Sequence, residues 1–168
     1  MQPRFVGNLN WAPQNPLTPD LWRLEEYFGQ VTSDGRMILC PPWQAVNGAS
    51  IPRWAWWAIG HPFEKGNKFW STPHDMGYCG HAIVLDLSRM YQPSPEQILA
   101  TASVRCLEPY TVPRLKRDWW DRVQLAEAMR LCSEPAIKRF AVYRSVRAGG
   151  TKPWRRNHTP LAKEAPCA

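Results

Sequence analysis

No run of apolar residues in this chain approaches the roughly 20 needed to cross a bilayer. The opening MQPRFVGNLN also lacks the apolar stretch behind a basic start that marks a secretory leader. No membrane span is therefore expected, and the chain reads as a soluble protein that no signal peptide exports. Cysteine is sparse and unpatterned: Cys40, Cys79, Cys106, Cys132 and Cys167 are odd in number and widely spaced, with no Cys-x-x-Cys pair. That pattern argues against a disulfide framework and against a thiolate zinc site, and points to a reducing compartment. No internal repeat is found.

What is present points to one domain. A chain of 168 residues that is 44% hydrophobic, with ten tryptophans, has ample apolar material for a core, while 17 prolines predict many irregular connections. The net charge of +7 favours acidic partners. Much of it lies late, at Arg114, Lys116, Arg117, Lys138, Arg139, Arg144, Arg147, Lys152, Arg155 and Arg156. No helix-turn-helix or RNA-binding signature accompanies these charges, so a solvated face is the plainer reading, with nucleic-acid binding through the basic C-terminal half kept open.

The pattern predicts an α+β fold: an N-terminal β-hairpin or small antiparallel sheet packed against three or four helices, two of them C-terminal. Over residues 20–39, two extended segments meet at Ser33-Asp34-Gly35, which is turn chemistry flanked by apolar residues. Asn47-Gly48 marks a tight turn, after which Ile51, Trp54, Trp56, Trp57 and Ile59 predict a short core-plugging helix. A carbohydrate platform is the less favoured use of these tryptophans. Ser71 or Thr72 as N-cap and Pro73 at the first helical position predict a helix start, with apolar and small residues continuing through IVLDL. Residues 86–117 read as an excursion around one short helix, PEQILATASVRCL. Two final helices follow, the first with Trp119, Val123, Ala126 and Met129 on its stripe, the second with Ile137, Phe140, Ala141 and Val146, ending at Gly149-Gly150. The expected organisation is one compact unit over 1–154, with 155–168 as a basic mobile tail.

Two blocks, NGASIPR at 47–53 and HDMGY at 74–78, occur in order with RFVG, WRLEEYF and a closing VYRSVRAGGTKPW. Together they make the chain similar to domain-of-unknown-function family 1353, small proteins of tailed phages and prophages, over most of residues 4–154. The resemblance implies origin more than activity: a phage or prophage accessory protein in the host cytoplasm or associated with the virion, with a virion component or host protein as partner. Two departures stand out. Asn47 replaces an aspartate usual in the family, and the family's aspartate at the start of the first C-terminal helix corresponds to Asp121 or Asp118, with Asp121 one residue out of the register set by Met129.

Neighbouring His74 and Asp75 point about 100° apart on a helix and cannot form a hydrogen-bonded couple in the usual way. They can share a divalent metal with Asp121, or His74 can serve as a base with Asp75 and Asp121 as ligands or orienters. Tyr78, one turn from His74, is a candidate substrate contact, and His81 a further ligand. Asn47, Ser50 and Arg53 are candidate substrate-binding residues, Arg53 for an anionic group; Ser50 lacks a nucleophile-elbow motif. His61, His74-Asp75 and Asp121 match metal phosphohydrolases only weakly, and Cys79 reads as a small core hydrophobe. The plainer alternative has Asp75 capping its helix and His74 bonding the NGAS turn. Two functions follow: a small metal-assisted hydrolase acting during infection or lysis, or a non-catalytic tail-associated or host-factor-binding protein in which the same residues form a structural network.

Overall fold

The computed structural model describes residues 1–13, 22–46, 60, 65–90, 94–101, 107–113, 115–151 and 154–155. The expected α+β architecture is present: antiparallel strands in the N-terminal half pack with about four helices, mostly C-terminal. Strands β1 (Arg4–Val6), β4 (Phe28–Val31), β5 (Arg36–Cys40) and β7 (Ile83–Asp86) form one sheet in the order β1-β4-β5-β7. A second sheet has the order β2-β3-β6, from Trp11–Pro13, Trp22–Leu24 and Ala45–Val46.

The expected hairpin is β4–β5, with Gln30 opposite Ile38. Its turn closes through Thr32 and Arg36, whose backbone groups bond at 2.8 Å, and Asp34 accepts from the Thr32 hydroxyl at 2.6 Å. Trp22–Leu24, expected as part of the same hairpin arm, belongs instead to the second sheet. Both β4 and β5 are almost wholly buried because the sheet is covered on both faces. Phe28, Ile38 and Cys40 face one apolar cluster with Met76 and Trp120, whereas Val31, Met37 and Leu39 face another with Leu85, Ile98 and Leu107. The two-residue period of the strand sorts these side chains between clusters.

Helix α1 (Lys65–Cys79) begins eight residues before the first helical position that the sequence predicts, Pro73, which lies inside it. Ser71 and Thr72 are not caps. Their hydroxyls donate back to the Lys68 carbonyl, at 3.5 and 2.7 Å. Pro73 has no N–H to give to the preceding turn, a loss of about 3 kcal/mol in an exposed helix. Here the first turns are held by burial of Asn67, Trp70, Ser71 and Thr72, each about 1% exposed. The helix stops at Gly80, whose φ of 75° suits glycine. His81 N–H reaches Met76 O at 2.8 Å and Gly80 N–H reaches Gly77 O at 3.2 Å, the paired bonds of a Schellman end. The chain then leaves as strand β7, so the IVLD stretch continues the sheet.

Helix α2 (Pro95–Ala100) carries a capping box, with Ser94 and Gln97 exchanging side-chain and backbone bonds. The rest of the excursion is described only in part. Helix α3 runs through Arg117–Trp119, a π turn at Trp120–Gln124 and Leu125–Leu131, and helix α4 is Ala136–Gly149. The two C-terminal helices stand where expected, but their faces differ. On α3 the buried residues are Trp120, Asp121, Gln124, Leu125, Ala128 and Met129; Trp119, Val123 and Ala126 are only half-buried. On α4, Val142 is buried, while Ile137 and Phe140 are 80% and 66% exposed. Gly150 ends α4 with φ of −75°, so the predicted left-handed cap is absent. A Cβ at Gly150 would stand 2.7 Å from Val146 O and 2.8 Å from the Tyr78 ring. The expected helix at 51–59 and the expected tail beyond Arg155 lie outside the described residues.

Candidate functional site

The π turn decides where Asp121 points. The Leu125 N–H bonds the carbonyl five residues back, at Trp120, which takes up one extra residue and rotates Asp121 onto the buried face shared by Leu125 and Met129. That is the one-residue offset visible in the sequence. Asp121 is fully buried and faces α1 and α4.

Three hydrogen-bonding groups and a further guanidinium converge on this carboxylate. His74 Nε2 lies 3.0 Å from Oδ1 and the Tyr78 hydroxyl donates to the same oxygen at 2.5 Å. Arg147 donates to Oδ2 at 3.1 Å, and Arg117 Nε lies 3.4 Å from it. Burial by itself pushes the Asp121 carboxyl up, but the hydrogen bonds from His74 and Tyr78, with Arg147, hold it below the ordinary aspartate value. The group is therefore an anion, and His74 Nε2 must carry the proton it shares with Oδ1. Among the described residues, His74 Nδ1 has no hydrogen-bond partner, and the side chain keeps 12% of its surface exposed. The His74 ring stacks on Tyr78 with centroids 4.3 Å apart, and Trp154 packs edge-on against Tyr78 at 5.2 Å.

Arg117 joins the site to the end of α4. Its Nε donates to the Tyr78 oxygen at 2.8 Å, its other nitrogens to Thr151 Oγ1 at 2.6 Å and to the Val146 and Arg147 carbonyls at 2.8 and 2.9 Å. Those carbonyls lie in the last turn of α4, where the dipole favours a cation; Val146 O also accepts from the Gly150 N–H at 2.8 Å. Burial pushes the Tyr78 hydroxyl far above its ordinary value, the bond to Asp121 adds to this, and Arg117 opposes it. Because the folded protein holds that proton more tightly, the Tyr78 contribution is complete below the unfolded tyrosine value of about 10 and is lost as pH rises beyond it. Tyr78→Phe is thus expected to lower Tm at pH 8, with the gap to wild type closing above about pH 10 in paired thermal melts.

The structure brings three of the sequence candidates together: His74, Tyr78 and Asp121. Asp75 is buried on α1 but takes no part in the contacts of Asp121, and His81 lies in the bend after that helix. Asn47, Ser50, Arg53 and His61 lie outside the described residues. Cys79 is half-buried and lines a cavity of about 370 Å³ beside Gly77, Val84 and Trp120. Arg117, Arg147 and Trp154 were not singled out as site residues. Arg147 and Trp154 stand in the VYRSVRAGGTKPW block, which was their only signal.

A divalent metal on His74, Asp75 and Asp121 does not fit this donor set. Both Asp121 oxygens are engaged, and two of the four groups on them are guanidinium cations that would repel the ion. Among the described residues, no three His, Cys, Asp or Glu side chains group closely enough to hold one. No helix among the described residues is long and apolar enough to cross a membrane.

No protein-family model matches the chain, and no curated protein or solved structure matches it.

Proposed function

We propose that the protein is a phage or prophage accessory protein with a small metal-free hydrolase-like site, in which His74 is the general base and Asp121 orients it. The NGASIPR and HDMGY blocks support the origin. The observation that carries the chemistry is the division of labour on the imidazole: Nε2 is fixed on a buried carboxylate while Nδ1 has no hydrogen-bond partner among the described residues. In such a pair the aspartate sets the tautomer and stabilises the imidazolium that forms when the base takes a proton. Nδ1 removes a proton from water, the resulting hydroxide attacks the electrophilic centre of the substrate, and the imidazolium returns the proton to the leaving group. Arg147, partly exposed beside Asp121, supplies positive charge for an anionic substrate group.

The test is hydrolysis of para-nitrophenyl acetate, para-nitrophenyl phosphate and bis(para-nitrophenyl) phosphate by wild type and by His74→Ala, with melting curves on both. Turnover of one of them by the wild type, lost by about 100-fold or more in a variant that still melts cooperatively, is the expected result. A variant that turns substrate over like wild type contradicts the assignment.

A second reading is favoured by Arg117, which ties Tyr78 to the last carbonyls of α4 and gives the cluster an architectural task. In that reading the protein is a non-catalytic tail-associated or host-factor-binding module. Its signature is a wild type inactive on every substrate and a His74→Ala variant destabilised by about 1–3 kcal/mol.

A further inference from the structure

Helices α3 and α4 leave a groove of about 250 Å³ between them, on the outward side of the buried Asp121. Arg122, Arg130 and Arg139 line it, with Phe140, Tyr143 and Met129. The one acidic residue in the lining, Asp121, is fully buried and already accepts from His74, Tyr78 and Arg147 with Arg117 paired beside it, so it offers no charge to the groove. The arginines are lightly engaged. Arg130 is exposed and pairs with no carboxylate among the described residues, Arg139 donates to the Glu134 carbonyl, and Arg122 pairs only with exposed Asp118. Phe140, 66% exposed, spends its ring on solvent, and Tyr143 one helical turn away is half-buried.

We propose that this groove is a docking surface for single-stranded nucleic acid, with Arg122, Arg130 and Arg139 meeting phosphates and Phe140 and Tyr143 stacking on bases. Cations interleaved with aromatic side chains along one helix, Arg139-Phe140 followed by Tyr143-Arg144, are the two components of sequence-tolerant strand binding. Charge complementarity selects the polyanion, and the exposed rings select unpaired bases, whose faces a duplex keeps stacked. Asp121, which orients His74, lines the floor of the groove, and His74 itself does not.

The experiment is fluorescence anisotropy of a labelled oligothymidylate titrated with wild type, Arg130→Glu, Phe140→Ala and the off-groove control Arg89→Glu, across a salt series. For three phosphates neutralised, log affinity against log salt should fall with a slope of about −2, and Arg130→Glu should reduce that slope by about 0.7 or more. Phe140→Ala, at an exposed position, should keep the wild-type melt and weaken binding by about 5- to 150-fold. Arg89→Glu should bind as wild type. Absence of binding at about 50 mM salt overturns the proposal, as does a Phe140→Ala affinity equal to wild type or a loss in Arg89→Glu matching that in Arg130→Glu. Self-association that Phe140→Ala abolishes, with no oligonucleotide bound, would make the groove a protein interface and also overturn it.

Discussion

Asp121→Ala is expected to destabilise the protein by about 3–5 kcal/mol, the cost of removing one member of a buried ionic cluster and stranding its partners. The loss has identifiable parts. The Tyr78 hydroxyl loses its acceptor, Arg147 loses its closest carboxylate, and Arg117 keeps its four other contacts but no counter-charge at Oδ2. Asp121→Asn separates shape from charge. It keeps one acceptor oxygen but turns the other position into a donor facing cations, and it should retain the fold at a smaller cost while losing the oriented His74. The acid limb distinguishes the two contributions. Since the folded carboxyl titrates below its unfolded value, its stabilisation is fully present above about pH 4 and is lost as pH falls through the folded value. Denaturant unfolding of wild type and Asp121→Asn from pH 7 downward should therefore converge below that range. A constant difference down to the acid limit would mean that the carboxylate is not the stabilising species.

Gly77→Ala should be destabilising by about 1–3 kcal/mol, opposite in sign to the usual effect of alanine in a helix. At an unencumbered position within α1, alanine would gain nearly 1 kcal/mol from the restricted unfolded chain. Here the new Cβ would stand 2.5 Å from atoms of the Trp120 indole, far inside contact. The ring has nowhere convenient to go. It is 4% exposed, packed in the main core cluster and set edge-on to Trp119 at 5.2 Å. The clash falls one residue before Asp121 on the π turn, so the variant should also disturb His74 and Tyr78. A thermal melt decides the sign, and an alanine variant that melts above wild type would show that α1 and α3 do not approach this closely.

Much of the fold was legible in the sequence because local chemistry agreed with the tertiary result. Ser33-Asp34-Gly35 reads as a hairpin turn and is one, and PEQILATASVRCL reads as a short helix, which begins at Pro95. The failures share a cause, which is tertiary context acting against local preference. Pro73 belongs at a first helical position by its own chemistry, and only the buried turns ahead of it carry the helix back to Lys65. The α3 stripe was placed on a uniform helical period, whereas the π turn adds one residue and moves Asp121 and Gln124 inward. Gln124 then donates to Gln30 at 3.0 Å, a buried pairing of polar residues that periodicity cannot foresee. Ile137 and Phe140 were placed on the stripe of the second helix by their spacing, although an apolar residue on a helix can equally face away from the core. Within the site, His74, Tyr78 and Asp121 were found because the HDMGY spacing puts two of them one turn apart. Arg117 and Arg147 were hidden among the charges of a basic segment, since nothing in the local sequence distinguishes a guanidinium that crosses to another helix from one that faces water.

The proposed function makes His74 an oriented base whose Nδ1 has no hydrogen-bond partner among the described residues. The most direct measurement is a long-range nitrogen–proton correlation spectrum of uniformly nitrogen-15-labelled protein, with the His74 ring assigned by comparison with His74→Ala. The expected spectrum has the singly protonated ring carrying its proton on Nε2 with Nδ1 bare, and a mixture of the two tautomers in Asp121→Asn. A His74 ring with its proton on Nδ1, or one whose tautomer ignores Asp121→Asn, would contradict it.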